Sequence, residues 1–263
     1  MIDLSIQIVD EEGNILAENK NTEDVYLVYK DSYKEGDKII FKTNGKNQYY
    51  IAQVDDALGE AFVYITEEEI IYPIPFNEKR TNYSPKVFNG DIHLAHLRVA
   101  YEEEVNAYKN LAKNVVDKNG LSGIYPHAKA NVETRGEAVF AARNAIDGVC
   151  ENRSHGAWPY ESWGINMQDD AEIKIDFGRE VAVDKVVLYT RSDFPHDNWW
   201  EEVTIEFSDG SELVWKLEKS YKPHKLKFEE KKIRSLVIKN LIKADDPSPF
   251  PALTQVEVYG VEA

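Results

Sequence analysis

Cysteine is almost absent from this chain of 263 residues: Cys150 stands alone, so no intrachain disulfide can form and packing must hold the fold. Methionine occurs twice, and no apolar run approaches the about 20 residues of a membrane-spanning helix. Basic residues are in deficit, with Lys+Arg 31 against Asp+Glu 47 and a net charge of −16. Such a chain is repelled by a phosphate backbone and by anionic lipid, and no basic stripe compensates. Nucleic acid is therefore excluded as the expected partner, and lipid is disfavoured. The sequence has no Gly-Lys-Ser/Thr phosphate loop, no Gly-x-Ser-x-Gly elbow and no Cys/His zinc spacing. Its first residues, Met1-Ile-Asp-Leu-Ser5, lack the positive segment and apolar stretch of a secretory leader. A cytoplasmic location is expected, or a secreted one if a leader has been removed.

Tryptophan is missing from the first 150 residues. All five, Trp158, Trp163, Trp199, Trp200 and Trp215, fall in the following stretch. Four of them stand in two polar-aromatic runs, Ser154–Trp163 and Arg191–Trp200, which are broken by Pro or Gly and have no helical or strand period. Both read as loops. Large rings set beside Arg, His, Asp and Asn suit a ligand with apolar faces and directional hydroxyls, and a sugar ring is such a ligand.

The rest of the pattern is β. Short alternating runs at Leu4–Val9, Val25–Tyr29, Lys38–Lys42, Tyr49–Val54, Ala61–Ile65, Ile70–Pro73 and His93–Ala100 are punctuated by Gly-containing turns and read as an antiparallel sandwich. Tyr101 to Leu111 has the only helical spacing, and a polar connector follows. This places a boundary near residue 110, with an N-terminal β-sandwich at 1–110 and a second domain at 111–263. Strands in the second are expected at Glu172–Phe177, Val183–Tyr189, Val203–Phe207, Glu212–Lys216, Lys225–Phe228, Ile233–Asn240 and Gln255–Tyr259. The fold class is all-β, with two β-sandwich domains.

Five motifs of the second half occur in an order that carries a resemblance. They are Asn144-Ala-Ile-Asp-Gly148, Glu172-Ile-Lys-Ile-Asp-Phe-Gly178, Val183-Asp-Lys-Val-Val-Leu-Tyr189, Phe207-Ser-Asp-Gly210 and Leu253-Thr-Gln-Val-Glu-Val-Tyr-Gly260. Together they resemble the discoidin domain, the coagulation factor 5/8 C-terminal type, in the version used by family 32 carbohydrate-binding modules. The resemblance covers about half the chain. It implies a galactose-binding-like jelly roll of eight strands, with ligand loops at one end and often a structural calcium ion beside them. The calcium position would map to Asn144, Asp147, Asn152 and Gln255. Gln255 stands where the family has an acid, which lowers the charge of the site and weakens it. The plainer reading of Asp147 is a side chain that caps its own turn before Gly148.

The same resemblance points to Arg191 as the residue that grips adjacent sugar hydroxyls, a contact suited to a planar guanidinium. Asp193, His155, His196 and Asn198 are the other directional groups of the two loops. The competing reading of Arg191 is an Arg–Asp pair that pins the loop. Of Trp158, Tyr160, Trp199 and Trp200, a single stacking residue is expected. Adjacent Trp199 and Trp200 point oppositely in an extended chain, so one belongs to the core. Trp215 alternates within a strand and reads as core, and Trp163 as packing beneath its loop. Phe250, between two prolines, is a candidate third wall whose plainer reading is a residue tucked against the sandwich edge. His93 and His96 lie three apart on a strand, face opposite sides and do not chelate together.

The sequence thus leads to a non-catalytic glycan or small-saccharide binder. Two rivals stay open: a carbohydrate-active enzyme with acids at the domain seam, and a protein–protein interaction module. The sugar, the oligomeric state and the role of the first domain are not legible.

Overall fold

In a computed structural model of the protein, which describes residues 1–191 and 198–263, two hydrophobic cores divide the chain. The first gathers the inward residues of short amphipathic strands, such as Ile6, Ile39, Phe41, Tyr50, Val63 and Leu97. These strands form a four-stranded sheet, in the order Ile15–Thr22, Asp3–Val9, Lys38–Thr43, Glu69–Pro73. A five-stranded sheet faces the same core, ordered Ile124–Tyr125, Ala61–Ile65, Gln48–Gln53, His93–Val99, Asp24–Tyr29. Every pairing is antiparallel. His93 and His96 are both buried on their strand with different partners: His93 meets Asp55 at 3.2 Å, and His96 lies between Asp24 and Glu60 at 2.8 and 3.3 Å.

The second core is enclosed by one bent eight-stranded antiparallel sheet. Ile173–Thr190 is its spine. Residues 173–176 of this strand pair with His127–Ala130 on one side and 235–238 on the other. From Val181 onward it pairs with Ala252–Glu262 and with the start of His224–Lys243. Register shifts between Asp176 and Val181 mark the bend, which lets a single strand line both halves of the sandwich. The sequence read this strand as two pieces, because Gly178-Arg-Glu180 interrupts the apolar alternation.

The segment 109–125 belongs to both units. Lys109–Asn110 pairs with the last strand, whereas Ile124–Tyr125 adds an edge to the first unit's sheet. The helix expected over 101–111 is only Glu102–Asn106, because Lys109 turns back and donates to the carbonyls of Glu104 and Val105 at 3.0 and 2.7 Å. Part of the seam between the units is a buried polar network. Arg179 makes a double hydrogen bond to Glu262 at 2.9 and 2.7 Å, Tyr49 donates to the same carboxylate at 3.1 Å, and Asn82 donates to Asn144 at 2.7 Å.

Candidate functional site

Three chain segments meet at one end of the second sandwich. Ala252 opens the last strand and pairs with Gly164 on one side, and its carbonyl accepts the Arg191 N–H at 3.0 Å on the other. Around this floor lies a pocket of about 190 Å³. Arg191, buried, enters from the end of the spine strand, and its guanidinium donates to the Phe250 carbonyl at 3.3 Å. His155, Phe250, Phe140, Arg135 and Asn166 also line it. The Arg135 guanidinium lies 5.6 Å from the Phe140 ring and is paired with Glu137 at 2.5 and 2.7 Å.

Part of the lining is strained. Arg135, Asn166 and Met167 all adopt left-handed backbone, with φ of 53°, 50° and 61°, which side chains other than glycine seldom do. Asn166 and Met167 are the central pair of a tight turn closed by Gln168 N–H to Ile165 O at 2.9 Å. Thr134 Oγ1 accepts the Asn166 N–H at 2.9 Å and joins the two strained segments. Gly164 is required here: an added Cβ would stand 2.6 Å from Thr134 Oγ1 and 3.1 Å from the Phe140 ring. Neighbouring structure thus over-determines the pocket's shape, the condition for a preformed binding site.

Of the residues singled out by sequence, Arg191 and His155 line this pocket. Asp193 and His196 lie outside the described residues. Trp158 is exposed and Tyr160 half-buried, on a loop whose Trp158 N–H reaches across to the Thr81 carbonyl; neither lines the pocket. Trp199 is half-buried and also outside it. Trp200 requires a correction, because it opens the strand Trp200–Phe207 with its side chain turned inward, 1% exposed in the core. Trp163 and Trp215 are core residues too. Asn198 is buried and serves as a pin: its amide donates to Ser248 O at 2.7 Å, and its side-chain oxygen accepts the Trp199 N–H at 2.6 Å. Phe250, the candidate the sequence disfavoured, lines the pocket and is 44% exposed. Arg135, Phe140 and Asn166 had no sequence signal, because a left-handed backbone at a residue other than glycine leaves no mark in composition.

The residues mapped to calcium do not fit that ion. Asp147 Oδ1 accepts the Val149 N–H at 2.8 Å, and its other oxygen faces the buried Arg143 guanidinium at 3.4 Å. Gln255 Oε1 accepts the Gly148 N–H at 3.1 Å, and Asn144 Oδ1 accepts from Asn82 at 2.7 Å. Asn152 donates to the carbonyls of Thr190 and Tyr221 at 2.7 and 2.8 Å. Calcium needs six to eight oxygens, and here N–H donors and the Arg143 guanidinium engage those of Asp147, Gln255 and Asn144. Among the described residues no group of three or more His, Cys, Asp or Glu could hold a metal ion.

Beside Asp147 lies Glu161, buried, with neither carboxyl oxygen hydrogen-bonded among the described residues. Burial first, and the nearby Asp147 second, push its carboxyl up to about 8. Burial also raises Asp147 to about 6 against the pull of Arg143. Glu161 does not line the pocket.

No family model matches the chain. A segment of 94 residues, 35% of the chain, is 33% identical to the Dynein heavy chain-like protein 1 of Plasmodium falciparum (isolate 3D7); the chain spans 2% of that protein's length. Solved structures similar to this chain include carbohydrate-binding modules and lectin domains. The lectin domain of lectinolysin, complexed with Lewis B antigen, is 20% identical with a TM-score of 0.44 over 59% of this chain and 98% of that one. The family 32 module of C. perfringens NanJ, in complex with galactose, is 18% identical with a TM-score of 0.39, covering 50% and 91%. A fucose-binding module of Streptococcus pneumoniae is 16% identical with a TM-score of 0.41, covering 59% and 96%.

Proposed function

We propose that the chain is a non-catalytic glycan-binding protein whose site is the pocket between Arg191, His155, Phe140 and Phe250. What carries the reading is the convergence of a buried guanidinium with two aromatic rings on one preformed pocket of about 190 Å³. Its size favours one sugar ring, with the apolar face on a phenyl ring and hydroxyls on Arg191, His155 and Asn166. Most of a bound saccharide would stay in water, so affinity is expected to be modest.

A glycan-array screen of the intact protein tests this, with Phe250→Ala beside the wild-type chain. Saccharide hits that weaken in the variant support the reading. Hits of equal strength in both proteins, or none in the wild type, refute it.

The enzymatic rival has less support. The cavity at the seam between the units has four acids, Glu35, Asp37, Glu78 and Glu133. Each accepts hydrogen bonds from N–H donors of its own surroundings. No pair of them is held free across a cleft as glycoside hydrolysis requires.

A further inference from the structure

That seam cavity measures about 700 Å³ and is separate from the sugar pocket. Ile74, Phe76 and Tyr83 of the first unit and Ala138 and Ala141 of the second give it apolar walls. Four cations, Lys38, Lys79, Lys118 and Arg143, also face it. The Lys118 ammonium donates to the Pro73 carbonyl at 2.5 Å and lies 5.3 Å from the Tyr72 ring. Arg143, 3% exposed, donates to the carbonyls of Asp117 and Val115 at 2.8 and 3.0 Å. Neither Lys79 nor Lys118 has an ion-pair partner among the described residues.

Four carboxylates share the cavity, so the net count of charge alone decides nothing. Their placement does. Asp37 accepts the Lys34 N–H, Glu78 the Ala138 N–H, and Glu133 both the Ala142 N–H and the Asn119 amide, at 2.6 to 3.0 Å. Glu35 accepts the Asn77 amide at 3.4 Å. The acids therefore serve the walls, and Arg143 is itself held by two carbonyls and by Asp147 at 3.4 Å, which leaves Lys79 and Lys118 as cations of the cavity with no ion-pair partner among the described residues. Desolvation, then repulsion from Lys79 and Arg143, push the Lys118 ammonium down to about 8, and no carboxylate is among the causes.

We infer that the cavity between the two cores is a second binding site, which takes a small molecule bearing an oxyanion, carboxylate or phosphate, between Lys118 and Lys79. The remainder of the ligand lies against Tyr83 and Phe76. The seam of two domains is a common position for such a site, and a ligand there would touch both units at once. The inference is independent of the sugar pocket.

The test is competitive acylation of the intact protein at pH 8, with the labelling of each lysine read by mass spectrometry. Chloride, inorganic phosphate and glucuronate are compared at equal ionic strength. A bound oxyanion returns Lys118 toward the ordinary lysine range, so its labelling is expected to fall by about tenfold or more while exposed lysines stay unchanged. Protection by phosphate alone or glucuronate alone identifies the class. Lys79→Gln, an exposed change away from the packed walls, should weaken that protection several-fold. Equal labelling of Lys118 in all three salts overturns the inference, as does protection spread evenly over the surface lysines.

Discussion

The Arg191 guanidinium donates to the main-chain carbonyl of Phe250 at 3.3 Å, so the end of the spine strand holds the loop that supplies an aromatic wall. One residue therefore shapes the pocket and presents charge to it. The glycine on the other side matters equally. Gly164→Ala would drive a methyl group into Thr134 and Phe140. It is expected to cost about 1–3 kcal/mol by overpacking and to weaken saccharide binding. Chemical denaturation and titration of the variant check both effects.

Trp200 and Trp158 occur in similar sequence contexts and have opposite roles. Trp200 is sealed in the second core, so Trp200→Ala should cost about 3–5 kcal/mol of stability. Trp158 is 40% exposed and outside the pocket, so Trp158→Ala should change stability by about 0.5 kcal/mol or less and leave saccharide affinity intact. Urea unfolding of the two variants distinguishes them. A loss of sugar binding in Trp158→Ala would reopen the loop as a stacking platform.

Glu161 gives the fold a pH dependence. Its carboxyl and that of Asp147 are raised, chiefly by burial, to about 8 and about 6, whereas in the unfolded chain both titrate in the ordinary carboxylate range. The folded state holds more protons between those ranges. Their contribution to stability is therefore full below the ordinary range and is lost as pH rises through 6 toward 8. The urea midpoint should fall from pH 5 to pH 8, and Glu161→Gln should flatten the decline and raise the midpoint at pH 8. A midpoint that rises across this interval would contradict the assignment.

Calcium is expected to have no structural part. Because N–H donors and Arg143 engage the side chains of Asp147, Asn144 and Gln255, added calcium or chelator should move the melting temperature by less than about 1 °C. A rise of several degrees on adding calcium would show that these groups rearrange around the ion.

How far sequence reached depended on whether burial left a periodic trace. Lys38–Thr43 and Ala61–Ile65 alternate buried and half-buried residues and were legible at once. Ile15–Thr22 was missed because it buries none of its residues; only its ladder to Asp3–Val9 makes it a strand. Arg191 was singled out through the family resemblance, at the end of an apolar strand, and it lines the pocket. Phe250 was underrated, since its prolines suggest a loop but not which way the ring faces. Arg135 and Asn166 reach the pocket through left-handed backbone, and only the surrounding tertiary structure specifies that. The tryptophan cluster that drew attention to the second half marks its core and its loops more than its pocket.

The most direct test of the account is calorimetric titration of the best array saccharide into wild-type protein, Arg191→Gln and Phe250→Ala, with melting temperatures measured in parallel. The account predicts at least a tenfold loss of affinity, about 1.4 kcal/mol or more, in both variants while each remains folded. Wild-type affinity in a folded Arg191→Gln protein would contradict it and place saccharide recognition elsewhere on the molecule.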